Sequence, residues 1–423
     1  MKNQNKKITI IGLGYVGLPL AIEFAKHFQV IGFDLNQERI EELRDGYDRT
    51  NEVEKKDLNS KPNICFTYDP KLIADAGIYI VTVPTPIDEF NVPDLEPLRS
   101  ASRLIGKYLS EGDTVVYEST VFPGVTEDVC VPILESVSSL SLNKDFTVGY
   151  SPERINPGDK EKTLKNITKI TSGSNKASSK FIDSLYNLIV DKTHPASSIK
   201  VAEAAKVIEN TQRDINIGLI NELAVLFHKA GIDTQEVLDA ASSKWNFLRF
   251  SPGLVGGHCI GVDPFYLTYK AAQLGYHTEL ILAGRRINDG MSDFVVDELI
   301  KKMIKKSLIH SKTKVLLLGV TFKENCPDVR NTKVINIVNR LKKLSINCDV
   351  YDPEADTESL AREYNVEIQT NPNKNDYDAV VLAVPHDTLL KLGINGIKDY
   401  LKNGGIFFDL KSVFGKEESD WRL

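Results

Sequence analysis

The pattern of apolar and polar positions changes texture twice along the chain. Through residue 196, short apolar, β-branched runs alternate with helical stretches. "KITIIGLG" (7–14) is an apolar strand ending in glycine, "AIEFAKHF" (21–28) a short amphipathic helix, and "QVIGFDLN" (29–36) a second strand whose end carries Asp34. "AGIYIVTVPTP", "DTVVYEST" and "FTVGYSPE" are further strands, each running into polar or turn residues. Continuous apolar strands separated by helices predict a parallel sheet covered on both faces. From Ser197 one long helical pattern follows, opened by serines and closed by Gly231. More helix comes after it, on either side of a glycine-rich stretch, "PGLVGGHCIGVDP" (252–264).

From Lys314 the strand pattern returns, and it repeats the first. "KVLLLGV" parallels "KITIIGLG", "DVYDPEA" parallels "VIGFDLN", "VVLAVPHDT" parallels "IYIVTVPTP", and "FFDLKS" parallels "VVYEST". The predicted fold is therefore α/β, with two Rossmann-like domains of the same strand order joined by a central helical region and a long bridging helix. The expected divisions are 1–196, 197–306 and 307–423.

Composition narrows the class without naming it. A chain of 423 residues is too long for one ordinary core. The 52 basic and 58 acidic residues leave a net charge of −6, which argues against a nucleic-acid partner. No apolar run approaches the ~20 residues that cross a bilayer, so membrane insertion is not expected. The N-terminal basic lead and apolar run imitate a signal peptide, but Gly12, Gly14, Gly17 and Pro19 interrupt the run and no small-residue cleavage site follows. Five scattered cysteines without C-x-x-C spacing speak against structural zinc, so no metal site is expected, and they fit a reduced, cytoplasmic setting.

The chemistry begins at "GLGYVG", where Gly12, Gly14 and Gly17 form G-x-G-x-x-G between a strand and a helix. The first glycine suits a tight turn, the second a close pyrophosphate, the third close helix–strand packing. Asp34, at the end of the next strand, suits ribose hydroxyls and repels a 2′-phosphate, which favours NAD over NADP. A glycine turn that binds nothing is the plainer alternative. In the second α/β part only Gly319 occupies the matching turn; Lys323, Asp328 and Arg330 follow it, either as ligand contacts or as solvated loop charges. On the long helix Glu203, Lys206, Asn210 and Arg213 share one face by their spacing. That pattern is ordinarily a surface face, unless it lines a cleft.

Free cysteines are mostly small buried hydrophobes, a reading that suits Cys65 and Cys348. Cys259 differs. Gly256, Gly257 and Gly261 let the backbone approach a ligand, and Asp263 is within local reach. A nucleophilic thiol needs a neighbouring cation or oriented amides, and Lys206 is a candidate cation. His258 suggests a cysteine–histidine pair, but side chains adjacent in sequence usually point apart.

Taken together, "GLGYVG", "VPTP", "EST", "SPER", "AEAAKVIENT", "GGHCIGVDP" and "GVTFKENCPDVRNT" resemble the UDP-glucose/GDP-mannose dehydrogenase family over nearly the whole chain. "SPERINPGDK", "SKWNF" and "PGLVGGHCIGVDPFYLT" are most similar to bacterial members that oxidise UDP-N-acetylhexosamines for surface polysaccharides. The resemblance implies two NAD+-dependent oxidations of a sugar C6 hydroxymethyl through a cysteine thiohemiacetal and thioester. It implies Cys259 as nucleophile, Lys206 at the developing oxyanion, Asn210 hydrogen-bonding near C6, Asp263 in proton transfer and thioester hydrolysis, and Thr120 and Glu153 beside water and substrate. NAD contacts are implied for Gly12, Gly14, Tyr15, Val16, Gly17, Asp34, Arg39, Thr85, Thr120 and Arg330. UDP-sugar contacts are implied for Leu248, Arg249, Phe250, Ser251, Pro252, Gly256 and Lys323, beside Glu153, Lys206 and Asn210, in a cleft between the two α/β domains. Many UDP-glucose enzymes of the family carry a second acid where this chain has Pro157 and a lysine where it has Val262; both departures favour an acetamido sugar. UDP-glucose and UDP-N-acetylmannosamine stay open as substrates, as does a non-catalytic nucleotide-sugar sensor. The long helix, with Ile215, Ile217, Leu219, Ile220 and Leu223, has the apolar surface for a homodimer.

Overall fold

The structure, a computed structural model, describes residues 6–59, 63–153 and 164–423. Pro157, and the part of "SPERINPGDK" beyond Glu153, lie outside the described residues. The chain forms two compact units, one of residues up to Glu209 with Phe265–Tyr276, the other of Asn210–Pro264 with His277–Leu423.

The first unit is built on eight strands: β1 (Lys7–Ile11), β2 (Val30–Phe33), β3 (Ile64–Thr67), β4 (Ala76–Val81), β5 (Thr114–Tyr117), β6 (Thr147–Tyr150), β7 (Thr168–Gly173) and β8 (Lys192–Pro195). Their order is β3-β2-β1-β4-β5-β6-β7-β8. β1 shows why so apolar a sequence is required: Ile8, Thr9, Ile10 and Ile11 are all buried, so both faces of the sheet are covered. The expected all-parallel sheet needs correction at one joint, because β7 runs antiparallel to β6. An antiparallel neighbour needs no crossover helix to reverse the chain. Cys65 is a second correction: it is exposed, not packed. β3 is the edge strand, and its alternation turns Phe66 inward and Cys65 outward. The first helix also starts earlier than its amphipathic stretch suggests, at Gly17, and ends at Phe24. It buries Leu18, Leu20, Ala21, Ile22 and Phe24, and so packs on nearly all sides.

The second unit carries the second sheet: β9 (Lys314–Leu318), β10 (Asn347–Tyr351), β11 (Tyr377–Leu382), β12 (Leu401–Asp409) and β13 (Trp421–Arg422), in the order β10-β9-β11-β12-β13. Every pairing in it is parallel. The strands matched by sequence occupy matching places, β10-β9-β11-β12 repeating β2-β1-β4-β5. Along β9, Val315 and Leu317 join one core while Leu316 and Leu318 join the other, one on each face. At the end of β10, Asp352 accepts the Val320 and Thr321 amides at 2.6 and 3.3 Å and faces His386 Nε2 at 3.1 Å. His386 Nδ1 accepts the Asn325 amide at 2.9 Å, so the proton sits on Nε2, directed at Asp352.

The long helix spans Ile199–Ala230 and stops at Gly231, whose φ is +71°. Its polarity is the reverse of a surface face. Glu203, Lys206 and Asn210 are buried, while Val201 and Ile208 are exposed. Ile220, one of the apolar residues expected at a dimer contact, is buried within its own chain; Leu219 is the one left largely exposed. Among the described residues no helix is long and apolar enough to cross a membrane.

Candidate active site

In the first unit the candidate residues collect at the carboxyl ends of the parallel strands, where open α/β sheets bind ligands. After β1 the chain turns at Gly12, with φ +95°, and enters the first helix at Gly17. A Cβ on Gly17 would overlap the Gly12 carbonyl, whereas a Cβ on Gly14 would meet nothing within 4 Å. Open space over Gly14, at a helix start, fits a pyrophosphate drawn to backbone amides. Asp34 Oδ2 accepts the Leu13 amide at 2.8 Å and Oδ1 the Asn36 amide at 2.9 Å, which fixes the carboxylate beside that turn. Tyr15 and Val16 are partly buried on the same turn. Arg39 is itself buried, donating to the Leu13 carbonyl at 3.0 Å and to Asp48 at 2.7 Å.

Further along the sheet, the Thr85 hydroxyl donates to the Thr120 carbonyl at 2.8 Å and joins the loops after β4 and β5. The Tyr266 hydroxyl donates to the Thr85 carbonyl at 2.5 Å. Glu153, just past β6, is buried and accepts from Lys169 at 2.9 Å. The Glu203 carboxylate accepts the Gly124 and Thr126 amides at 2.5 and 2.9 Å, and burial pushes it up to about 7.

In the second unit Cys259 lies in the turn that opens the helix Asp263–Gln273. Its carbonyl accepts the Val262 and Asp263 amides at 3.1 and 2.9 Å. Asp263 is buried, and its Oδ2 accepts from Asn210 Nδ2 at 2.6 Å. Gly256 and Gly257 also admit close approach by the protein's own atoms. A Cβ on Gly256 would lie 2.7 Å from the Asn331 carbonyl oxygen, and one on Gly257 2.8 Å from the Phe322 ring. Asn331 Nδ2 in turn donates to the Gly257 carbonyl at 2.9 Å. These glycines let the cysteine loop close onto the segment after β9. His258 lies against the Phe322 ring and within 3.8 Å of Asp328.

The loop preceding Cys259 has mixed exposure: Leu248 is 73% exposed, Phe250 half-buried, Ser251 exposed and Pro252 buried. Arg249 pairs with Asp239 at 2.6 Å. A buried network unread in the sequence anchors the loop. Asn221 exchanges two hydrogen bonds with the Gly253 backbone, at 2.8 and 3.0 Å, and donates to Asn288 at 2.8 Å; Asn288 and Arg285 both donate to Asp214, at 2.7 and 2.6 Å. After β9, Arg330 grips Asp328 with contacts of 2.5 to 3.1 Å. Burial opposes the Asp328 charge, but Arg330 holds its carboxyl below the usual range. Lys323 is half-buried in the same loop.

A glycine fingerprint with an acid at the neighbouring strand tip marks an NAD-binding α/β fold. Three models of the UDP-glucose/GDP-mannose dehydrogenase family match the chain in order: the NAD binding domain over residues 6–190, the central domain over 200–290 and the UDP binding domain over 316–416. The chain belongs to this family. It is similar to a UDP-N-acetyl-D-glucosamine 6-dehydrogenase of Pseudomonas aeruginosa, 54% identical over 99% of each chain. A protein of the same name from Salmonella typhi is 53% identical over 99% of this chain and 98% of its own. Among solved structures, the UDP-D-ManNAc dehydrogenase of Pyrococcus horikoshii superposes with a TM-score of 0.89 at 28% identity, covering 98% of both chains.

Proposed function

We propose that the chain oxidises the C6 hydroxymethyl of a UDP-N-acetyl-D-hexosamine, UDP-GlcNAc, UDP-GalNAc or both, to the uronate, supplying surface polysaccharide synthesis in the cytoplasm. The observation that carries this reading is a cysteine in the turn leading into Asp263, with Asp263 bound to Asn210. The names and identities of the two bacterial relatives support the acetamido sugar.

When bound, NAD+ would supply the hydride acceptor for two successive oxidations. Gly12, Gly14, Gly17 and Asp34 would hold it, with Tyr15, Val16, Arg39, Thr85, Thr120 and Arg330 as further contacts. An aldehyde at C6 has no second hydride to give until a nucleophile adds. Cys259 thiolate adds to that carbon, giving a thiohemiacetal; loss of the second hydride leaves a thioester. Water held by Thr120 and Glu153 attacks the thioester, and the C–S bond breaks to return the thiolate. Lys206 stabilises the oxyanion, Asn210 hydrogen-bonds near C6, and Asp263 moves the protons. Lys323 and the 248–252 loop with Gly256 contact the UDP-sugar. Residues 1–196 are assigned to the cofactor, 197–306 to the cysteine and dimer contact, and 307–423 to UDP.

We assign the homodimer to the long helix. Val201, Ile208, Leu219 and Leu226 are all about half exposed, and steps of seven and eleven residues set them in one line along a helix. A panel of UDP-sugars read by NADH absorbance tests the function. Turnover of UDP-GlcNAc or UDP-GalNAc with two NADH per sugar is expected. Turnover of UDP-glucose or UDP-ManNAc alone defeats the substrate assignment, and ligand binding without any NADH defeats the enzyme reading in favour of a sensor.

A further inference from the structure

Among the described residues of the first unit, Lys169, on β7, is the most deeply buried cation, its side chain wholly shielded from solvent. Its ammonium donates to Glu118 Oε2 at 2.6 Å, to Glu153 Oε2 at 2.9 Å and to the Pro152 carbonyl at 3.1 Å. Glu118, at the end of β5, is tied at its other oxygen by the Tyr186 hydroxyl, and the ammonium lies 5.2 Å from the centre of the Tyr186 ring. Burying an ammonium costs several kcal/mol, and a packed apolar group would often stabilise a fold as well. Burial opposes the charge of Lys169, yet the two carboxylates hold its pKa above the ordinary value. A cation kept at that cost, and bonded both to Glu153 and to the carbonyl just before it, constrains where Glu153 sits.

We propose that Lys169 is a positioning residue for the oxidation: it fixes the Oε2 of Glu153 and the backbone leading to it, so that this carboxylate meets the C6 substituent and the hydrolytic water in register. The proposal rests on the reading of Glu153 given under the proposed function. Among the described residues, the ionisable groups facing Lys169 are Glu118 from β5, Glu153 from the segment after β6, and Tyr186 from the helix Lys176–Tyr186.

The test measures kcat, KM, NAD+ binding, thermal unfolding and the pH dependence of kcat in wild type, Lys169→Met, Lys169→Arg and Glu118→Gln. Misplacing a reacting group by about 1 Å costs about 100-fold. Lys169→Met is expected to lose about that factor in kcat, with NAD+ binding kept and KM moved less than about 3-fold, while Lys169→Arg stays within about 10-fold of wild type. Glu118→Gln leaves Glu153 as the one carboxylate bonded to the ammonium, and is expected to move the acid limb of the kcat profile to lower pH. A folded Lys169→Met with kcat within about 3-fold of wild type overturns the proposal. Should that variant not fold, an unmoved acid limb in Glu118→Gln overturns it instead. Wild-type protein that makes no NADH from any UDP-sugar overturns the Glu153 reading itself, and the Lys169 role with it.

Discussion

Asn210 donates its side-chain amide to the buried carboxylate of Asp263 at 2.6 Å, across 53 residues of sequence. One residue comes from the middle of the long helix, the other from the first turn of the helix that follows Cys259. Asn210→Ala leaves a buried carboxylate without that donor, an expected loss of about 1–3 kcal/mol in stability. Asp263→Asn tests the chemistry separately: it should fold, yet lose about 10²–10⁴-fold in kcat if the acid moves protons. Denaturation and NADH assays on the two variants separate these effects; equal activity in Asp263→Asn and wild type removes the proton-transfer role.

Cys259→Ser should bind NAD+ as wild type does. Its full oxidation to uronate should fall by about 10³-fold or more, as for loss of other covalent nucleophiles. Product analysis by mass spectrometry checks this, and undiminished uronate formation would remove the nucleophile.

The fingerprint glycines should part company. Gly17→Ala forces a Cβ into the Gly12 carbonyl and should lower the melting temperature or prevent folding. Gly14→Ala meets no atom of the chain within 4 Å. It should therefore fold with wild-type stability and lose NAD+ affinity by about 10-fold or more, about 1.4 kcal/mol. Unchanged cofactor affinity in a stable Gly14→Ala would place the pyrophosphate elsewhere.

Glu203 predicts a pH dependence of stability. Burial pushes its folded carboxyl up to about 7 from an ordinary value of 4.5. Between those values the folded state keeps a proton that the unfolded chain releases. Stability therefore falls as pH rises through that window, by up to about 3 kcal/mol, and levels off above it. Urea denaturation from pH 5 to pH 8 should show this slope in wild type and a flatter one in Glu203→Gln. Identical slopes would assign the dependence to other groups.

The apolar line on the long helix gives an assembly prediction. Sedimentation of wild type at micromolar concentration should report a dimer, and Leu219→Glu with Leu226→Glu a monomer. A wild-type monomer, or a double variant that still dimerises, refutes that contact.

Much of this was legible beforehand because its causes are local. A strand buried on both faces must be apolar throughout, so β1, β2, β4 and β5 and their counterparts in the second sheet stood out, and a glycine fingerprint is itself a local turn. What stayed hidden depends on distant partners. Lys169 sits in an unremarkable polar strand, and only the fold brings it to Glu118 and Glu153. Asp214, Asn221, Arg285 and Asn288 stand on two helices, with contacts spanning 67 to 74 residues. The face taken by Cys65 depended on β3 being an edge, which sheet order decides. The glycines before Cys259 were singled out for close approach to a ligand, and only the fold shows that Asn331 and Phe322 approach them as well.

In both sheets the carboxylate at the tip of the second strand holds the turn that follows the first: Asp34 takes the Leu13 amide, and Asp352 the Val320 amide. In the second sheet His386 also lies against that acid. Under the proposed NAD contact, cofactor preference and local stability become a single variable at Asp34. Redesigning the chain to accept a 2′-phosphate by exchanging Asp34 would also strip the Leu13 amide of its acceptor, so a working NADP variant must supply a substitute acceptor for the turn along with any new cation.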